Sequence, residues 1–121
     1  MSKFLVRNVK DLSTKVFHER VSSRTFFVAW EDNFESSIRF LSSNTLKPYE
    51  GSELHVHESM EEFYFVLSGK ASIRCGDETA DVGAGDAIYL PANVPHSIQN
   101  TDSSPFCYIV CGARILSEIR S

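Results

Sequence analysis

The chain has 121 residues, a length that fits one domain with a hydrophobic core of its own. Its 12 basic residues, set against 16 acidic ones, form no stripe that could neutralise a phosphate backbone, so we expect no nucleic-acid partner. The longest apolar runs, 26–30 and 63–67, are too short to span a bilayer, and charged residues interrupt the first part of the chain; we therefore expect no membrane partner and a cytoplasmic location.

Segments of strand length recur along the chain, rich in β-branched and aromatic residues and separated by turn-forming residues. We predict strands at 26–30, 37–41, 62–67, 71–75, 87–90 and 106–110, and helical pieces only near the two ends, over 9–14 and after Gly112. Many short strands with no helical period between them are typical of an all-β sandwich or barrel. We therefore predict an all-β fold in which residues 1–121 form a single domain.

The chain carries three cysteines, Cys75, Cys107 and Cys111. An odd number without an export signal argues against a disulfide framework, so we expect reduced thiols. Cys107 and Cys111 lie in or beside the apolar strand predicted over 106–110, where a thiol packs as a small apolar group. A zinc site on this pair is the weaker alternative, and the role of the two thiols stays open.

Three of the four histidines lie in two clusters that could bind a metal. His55 and His57 are two residues apart, which places both imidazoles on one face of a strand. His96 and a glutamate, either Glu61 or Glu62, could complete the ligand set, and residue parity does not separate the two glutamates because a turn interrupts the count from His57. Three imidazole nitrogens and one carboxylate suit one divalent ion, such as iron, manganese, nickel, zinc or copper.

These residues resemble the two sequence motifs of the cupin superfamily. The first motif is a His-x-His pair, a glutamate and, after six more residues, a glycine; here these are His55, His57, Glu62 and Gly69. The second motif is matched over residues 85–100 by Gly85, Pro91, His96 and Asn100. Fifteen residues separate the first motif from the second, which is similar to the short inter-motif loop of small single-domain microbial cupins.

The resemblance implies a single small cupin barrel, also called a double-stranded β-helix or jelly roll, with a motif core over about residues 51–100. The spacing to the motif glycine selects Glu62 over Glu61. The resemblance also implies one divalent metal ion, held by His55, His57, Glu62 and His96. The alternative is a set of polar residues that hydrogen-bond to one another, as in cupins that have lost their metal.

Two residues depart from the family pattern. Asn93 stands where the second motif has a glycine, and asparagine tolerates the left-handed backbone region better than other chiral residues. Tyr49 stands where the leading glycine of the first motif would fall, with Gly51 two residues later. We therefore expect the turn at Asn93 to keep its shape and the strand that enters the site to begin differently.

Alternation along the strands predicts which other side chains enter the barrel. Tyr64 shares the face of Glu62 and is expected inside, one pleat deeper. Tyr64 is the candidate catalytic residue, with a role as a plain wall residue as the alternative. Arg39 is a candidate to bind an anionic substrate group, with a solvated side chain as the alternative, and His18 is expected at the surface.

The opposite face of the same strand carries Phe63, Phe65 and Leu67, so this strand is apolar on both faces. The barrel interior covers one face, and the other must be covered as well. We predict a homodimer that buries the second face. An N-terminal segment at 4–9, packed with residues 26–27, is the alternative cover within one chain.

Four protein ligands would leave positions open on a six-coordinate ion, which suits chemistry. Cupins similar to this chain include dioxygenases, sugar isomerases and epimerases, polyketide cyclases, decarboxylases and lyases, as well as modules that catalyse nothing, so the fold does not name the reaction. We predict a metal-dependent enzyme that acts on a small-molecule substrate, and we favour a dioxygenase or related oxidoreductase over a non-redox isomerase, cyclase or lyase. A ligand-binding module without turnover is the second hypothesis.

Overall fold

The computed structural model describes residues 4–117, and β-strands make up most of that range. The described elements begin with a 3-10 helix, Val9–Asp11, and continue as β1 (Lys15–Phe17), β2 (Val21–Val28), α1 (Ala29–Asp32), β3 (Ile38–Leu46), β4 (Met60–Ser68), β5 (Lys70–Cys75), β6 (Glu78–Gly83), β7 (Ala87–Leu90), β8 (His96–Asn100) and β9 (Phe106–Arg114). Within the same range, the helices are too short or too polar to cross a membrane.

The strands form two antiparallel sheets. The larger has the order β1-β2-β3-β9-β4-β7, and the smaller has the order β6-β5-β8. One hydrophobic core joins them, because buried residues such as Ile73 and Ile98 of the small sheet cluster with Leu46, Val66 and Tyr108 of the large one. This arrangement confirms the predicted all-β jelly-roll barrel. That residues 1–121 form one domain stays a prediction, since the ends lie outside the described range.

The structure confirms that buried and exposed side chains alternate along β4. Glu62, Tyr64 and Val66 are buried, whereas Phe63 and Phe65 on the other face are 45% and 46% exposed. The pleat of a strand sends successive side chains to opposite faces, and β4 pairs with both β7 and β9, so its inward face meets the core from Glu62 to Val66. The strand therefore aims Glu62 and Tyr64 into the barrel.

The strand predicted at 26–30 is only partly correct. β2 ends at Val28, and the chain turns into α1, which ends at Asn33 in the left-handed region with a φ of 56°. The Asp32 carboxylate accepts a hydrogen bond from the N–H of Val28 at 2.9 Å and so stabilises this reversal. The prediction that helical pieces lie only near the ends is therefore wrong, because local capping outweighs the strand propensity of an aromatic run.

The helical piece predicted from Gly112 onward is wrong over its first residues. β9 continues to Arg114 because its last residues stay paired with β3 and β4. Beyond Arg114, Leu116 and Ser117 are helical, and residues 118–121 are outside the described range.

The sequence does not predict β1, β6 and β8 as strands. Most side chains of β6 are exposed, and of the three buried residues of β8, His96, Ile98 and Asn100, only Ile98 is apolar, so neither strand shows the apolar alternation that identifies a strand. Their pairing with neighbours holds them in place instead: β6 and β8 flank β5 on its two edges.

The two departures from the cupin pattern both adopt the backbone conformation that glycine favours. Asn93 has a φ of 66° and Tyr49 a φ of 61°. The turn at Asn93 thus keeps its shape as predicted. Tyr49 also takes the left-handed conformation, so the chain before the site turns as a glycine would allow. That the strand entering the site begins differently stays a prediction.

Candidate metal centre

Backbone hydrogen bonds hold the two histidine segments side by side. The N–H of His55 donates to the carbonyl of His96 at 2.9 Å, and the N–H of His96 donates back to the carbonyl of His55 at 2.8 Å. Glu62 reaches the same point from β4. One candidate ligand atom from each of His55, His57, Glu62 and His96 lies within 4.8 Å of the other three. The structure therefore brings together the four residues that the sequence selects.

The Glu62 carboxylate contacts two of the three rings. Its Oε1 is 3.4 Å from Nε2 of His57 and 3.3 Å from Nε2 of His96. Glu62 and His96 are buried, while His55 and His57 are only half-buried. The cluster is thus closed on the side of the core and open on the side of the His55 and His57 pair.

Backbone carbonyls set the orientation of two rings. The Nδ1 atom of His55 lies 2.9 Å from the carbonyl oxygen of Glu53, and Nδ1 of His96 lies 3.2 Å from that of Val94. A carbonyl only accepts, so Nδ1 carries the proton in both rings and Nε2 keeps its lone pair. This second layer of hydrogen bonds is the usual support of metal-binding histidines.

Glu62 and His55 have the protonation states that metal ligands require. Burial opposes ionisation of Glu62, but the His57 and His96 rings favour the charged form more strongly and lower the pKa of Glu62 to about 2. Burial of the His55 ring lowers the pKa of His55 to about 4. At neutral pH the site presents a carboxylate and a neutral imidazole, so a cation needs to displace no proton from either.

One atom of the cluster has no hydrogen-bond partner. Nε2 of His96 is fully buried, and the nearby Glu62 oxygen does not meet hydrogen-bond geometry with it. Buried polar atoms without partners are rare in folded proteins and call for an explanation such as an ion. The orphaned nitrogen, the adjacent carboxylate and the mixed nitrogen and oxygen donors fit one divalent metal ion.

The structure separates the two glutamates that residue parity leaves unresolved. Glu61 points to the outer face of β4, where its Oε2 accepts a hydrogen bond from the hydroxyl of Tyr89 at 2.6 Å. Glu62 points inward. The choice of Glu62, made from its spacing to Gly69, agrees with this geometry.

A cavity of about 610 Å³ is lined in part by the candidate ligands. Tyr64 also lines it, is buried, and donates a hydrogen bond from its hydroxyl to Oε1 of Glu62 at 3.4 Å. Burial, together with the Glu62 charge, raises the pKa of Tyr64, so its phenol remains a donor at neutral pH. Tyr64 therefore occupies the position predicted for it, and its catalytic role remains a prediction.

His18 is only partly the surface residue that the sequence suggests, because its side chain is 30% exposed. Its ring stacks on the ring of His55, with centroids 3.6 Å apart and planes inclined by 13°. Its Nδ1 lies 3.6 Å from a carboxylate oxygen of Glu53, the residue whose carbonyl orients His55. The turn between β1 and β2 carries His18 to the site, a long-range contact for which the sequence offers no local signal.

Arg39 is not placed to bind a substrate group in the cavity. Its guanidinium lies over the ring of Trp30, 5.9 Å from the centroid, and Arg39 is not among the residues that line the cavity.

Cys75, Cys107 and Cys111 are free and half-buried, in line with the prediction of unpaired thiols. Cys107 and Cys111 lie four residues apart on β9.

The chain matches a family model described as "Cupin domain" over residues 44–112. Among curated proteins it is 33% identical over 90 residues to mannose-1-phosphate guanylyltransferase 2 of Escherichia coli O157:H7, a match that covers 72% of this chain and 19% of that protein. It is 42% identical over 59 residues to oxalate decarboxylase OxdC of Bacillus subtilis strain 168, which covers 45% of this chain and 15% of that protein. The chain spans less than half the length of the first curated relatives that it matches.

Solved structures show the same fold. A structure from Thermotoga maritima, described as a predicted oxalate decarboxylase, superposes with a TM-score of 0.82 over 92% of this chain and 100% of that one. The two sequences are 18% identical, so this likeness supports the fold alone.

Proposed function

The chain belongs to the cupin family, and from that membership we propose that it is a metal-dependent enzyme acting on a small organic molecule. The observation that carries this proposal is the orphaned Nε2 of His96, buried beside the Glu62 carboxylate and two further imidazoles. Iron, manganese, nickel, zinc or copper bound by the four residues would supply Lewis-acid or redox chemistry at the edge of the cavity.

The chain's own residues would prepare this chemistry in three ways. The carbonyls of Glu53 and Val94 hold the His55 and His96 rings in the tautomer that points Nε2 at the cluster. Glu62 supplies the negative charge that balances a cation. The Tyr64 hydroxyl can turn from Glu62 to donate a hydrogen bond to a substrate oxygen, and the surrounding walls keep bulk water away from it.

Among reaction types we favour a dioxygenase or related oxidoreductase, because four of the five ions that this donor set suits, iron, manganese, nickel and copper, are redox-active. A non-redox isomerase, cyclase or lyase is the alternative, and the name of the Bacillus subtilis relative, oxalate decarboxylase, favours lyase chemistry among these. A module that binds a small ligand without turnover is the second hypothesis. The three free cysteines fit a reducing, cytoplasmic location.

Metal analysis of protein purified without chelators tests the proposed function. We expect close to one divalent ion per chain. Iron, manganese, nickel or copper would favour oxygen chemistry, whereas zinc would favour the Lewis-acid alternatives. Protein that is folded, takes up no ion on reconstitution and still binds its small ligand would support the metal-free binding module instead.

Tyr64→Phe is expected to lower turnover by roughly tenfold or more while changing KM little, because a hydrogen bond made in the transition state affects kcat rather than ground-state binding. The ring keeps its packing, so metal content and thermal stability should stay the same. Tyr89→Phe is the matched control, since its hydroxyl contacts Glu61 on the outer face. An unaltered turnover number in Tyr64→Phe would make Tyr64 a wall residue.

His18→Ala is expected to speed metal release several-fold, because the stacked ring restrains His55 from rotating out of the cluster. A ligand nitrogen offers its lone pair in the ring plane, so the parallel His18 ring supports His55 rather than adding a ligand. His18→Phe should retain most of the restraint through its own ring. Chelator competition followed over time measures the rate of metal release. Arg20→Ala, on the same turn, is the control. Equal release rates for His18→Ala and the wild type would contradict this role.

We also propose a homodimer that buries the outer face of β4. Phe63, Phe65 and Leu67 are each about half exposed there, and Tyr89 on the adjacent β7 extends the same apolar face. The alternative cover is not observed: Phe4 is itself 93% exposed, and the 26–27 pair lines the cavity instead. An unburied apolar face of this kind marks an interaction site.

Light scattering should therefore report twice the mass of one chain at micromolar concentration. Phe65→Asp should yield monomers at the same concentration, because a charge in the centre of the face would be desolvated without a partner. Val16→Asp, at an exposed apolar position away from this face, should leave the mass unchanged. A monomeric wild type would contradict the dimer and leave the metal centre unaffected.

A further inference from the structure

The cavity beside the cluster is much larger than a metal ion and a few water molecules need. Its volume of about 610 Å³ lies within the range of sites that bury a whole ring-bearing ligand. A dicarboxylate of a few atoms would leave most of this space filled with water. The size of the cavity thus points to a substrate with a body that reaches well beyond the metal.

The charges on the cavity walls do not favour an anionic substrate. The Lys and Arg side chains among the lining residues are Arg7 and Lys15, and the acidic ones besides Glu62 are Glu31 and Asp32. Arg7 is already paired with Asp32, because its guanidinium donates to both carboxylate oxygens at 2.9 and 2.8 Å. Lys15 is exposed. Apart from the divalent ion itself, no buried cation among these lining residues is free to bind an anionic group, so a second negative charge on a substrate would find no partner in the walls.

Aromatic rings form much of the cavity wall away from the ligands. They come from β1, β2, α1 and β3, and they are Phe17, Phe26, Phe27, Trp30 and Phe40. Phe17 and Trp30 are 47% and 70% exposed, which an apolar ligand lying against them would reduce. Such side chains gain most from a flat or ring-shaped partner.

Uncharged polar side chains form a second patch on the inner face of β2 and β3. Ser23 lies opposite Asn44 and Thr25 opposite Ser42 in the strand register, and all four line the cavity. The hydroxyl of Ser42 donates to Oδ1 of Asn44 at 3.1 Å, so the patch has internal order. These groups can hydrogen-bond to neutral oxygen atoms of a ligand without adding charge.

We propose that the cavity binds an uncharged ring compound that carries oxygen atoms. An oxygen at one edge of the ring would face the four candidate metal ligands, the ring would lie against the aromatic wall, and a further oxygen could reach the patch of Ser23, Thr25, Ser42 and Asn44. This inference rests on the proposed function for its metal. The shared chemistry belongs both to dihydroxylated aromatic compounds and to sugars, so both are tested.

The test is calorimetric titration of Co²⁺-loaded protein with 2,3-dihydroxynaphthalene, with fructose and with oxalate. The affinity of each compound for the protein is corrected for its affinity for free Co²⁺. After that correction, at least one of the ring compounds should bind at least about tenfold more tightly than oxalate, because one buried ring edge removes tens of Å² of apolar surface from water. Which of the two binds distinguishes an aromatic substrate from a carbohydrate. Metal content is measured in the same samples.

Variants of the aromatic wall test whether the ring compound binds where we propose. Phe17→Ala and Trp30→Ala, both at exposed positions where folding should be unaffected, should weaken binding of the ring compound about three- to tenfold each and leave oxalate unchanged. Val16→Ala on the same strand as Phe17 is the matched control, and it should change neither.

Two results would overturn the inference while the metal centre stands: oxalate binding as tightly as the ring compounds, or ring binding that ignores both aromatic variants. A protein that retains no Co²⁺ would overturn the proposed function itself, and this inference with it. Metal content therefore separates the two failures.

Discussion

His96→Ala is expected to lower metal affinity by about 100-fold or more, since it deletes a direct ligand and even the loss of an outer hydrogen bond costs 10- to 100-fold. The His96 ring is buried, and its Nε2 has no partner other than the ion it would hold. Metal stoichiometry after dialysis and chelator competition measure the loss.

Ser97→Ala is the matched control for this change. Ser97 is the next residue on β8 and its side chain alternates away from the cluster, so metal content should equal that of the wild type. Circular dichroism should show that both variants are folded. In the metal-free protein Nε2 of His96 makes no hydrogen bond, so its removal costs the fold no hydrogen bond at that atom. Unchanged metal content in His96→Ala would show that the ligand set is wrong.

Asn100→Ala is expected to have the largest effect on stability, about 3 kcal/mol, because it removes a fully buried side chain with four hydrogen bonds to the backbone. Its Nδ2 lies 3.3, 3.1 and 2.9 Å from the carbonyl oxygens of Leu46, Lys47 and Ser104, two of which share one of its two hydrogens, and its Oδ1 accepts from the N–H of Asp102. An alanine would remove these bonds from backbone groups that are buried or part-buried, although the Lys47 carbonyl would still accept from the N–H of Glu50.

Urea denaturation measures this loss, and the melting temperature should fall by about 10 °C or more. Thr101→Ala, at the exposed neighbouring position, should remain within about 0.5 kcal/mol of the wild type. The same small change for Asn100→Ala would contradict the proposed role. Because Asn100 ends the strand that begins with His96, we also expect the weakened strand to bind metal less tightly at higher temperature.

The inward face of β4 illustrates what the sequence could predict. The strand is apolar on both faces, so its apolar pattern alone does not orient it; the motif spacing that selects Glu62 as a ligand fixes which face is inward, and the two-residue period of a strand then places Tyr64 on the same face. The metal cluster was predictable for a related reason. Each of its residues lies in a motif whose spacing, rather than whose local conformation, identifies it.

The parts that escaped prediction depend on contacts between distant segments. His18 reaches His55 only because the β1–β2 turn folds over the site, and no pattern near His18 encodes this. The polar patch on β2 and β3 does leave a pattern in the sequence, because polar residues occupy alternate positions on two facing strands: Ser23 and Thr25, and Ser42 and Asn44. The same pattern is usual for a strand face that contacts solvent, so it does not identify a binding surface. Strand β6 is held by pairing with β5 rather than by its own polar sequence.

A crystal structure of protein purified without chelators, with anomalous diffraction recorded at the edge of the metal found by elemental analysis, tests the metal centre most directly. We predict a single anomalous peak with His55, His57, Glu62 and His96 as ligands at about 2.0 to 2.3 Å. No peak in a protein reconstituted with each of the five candidate ions, or a peak held by other residues, would contradict the account.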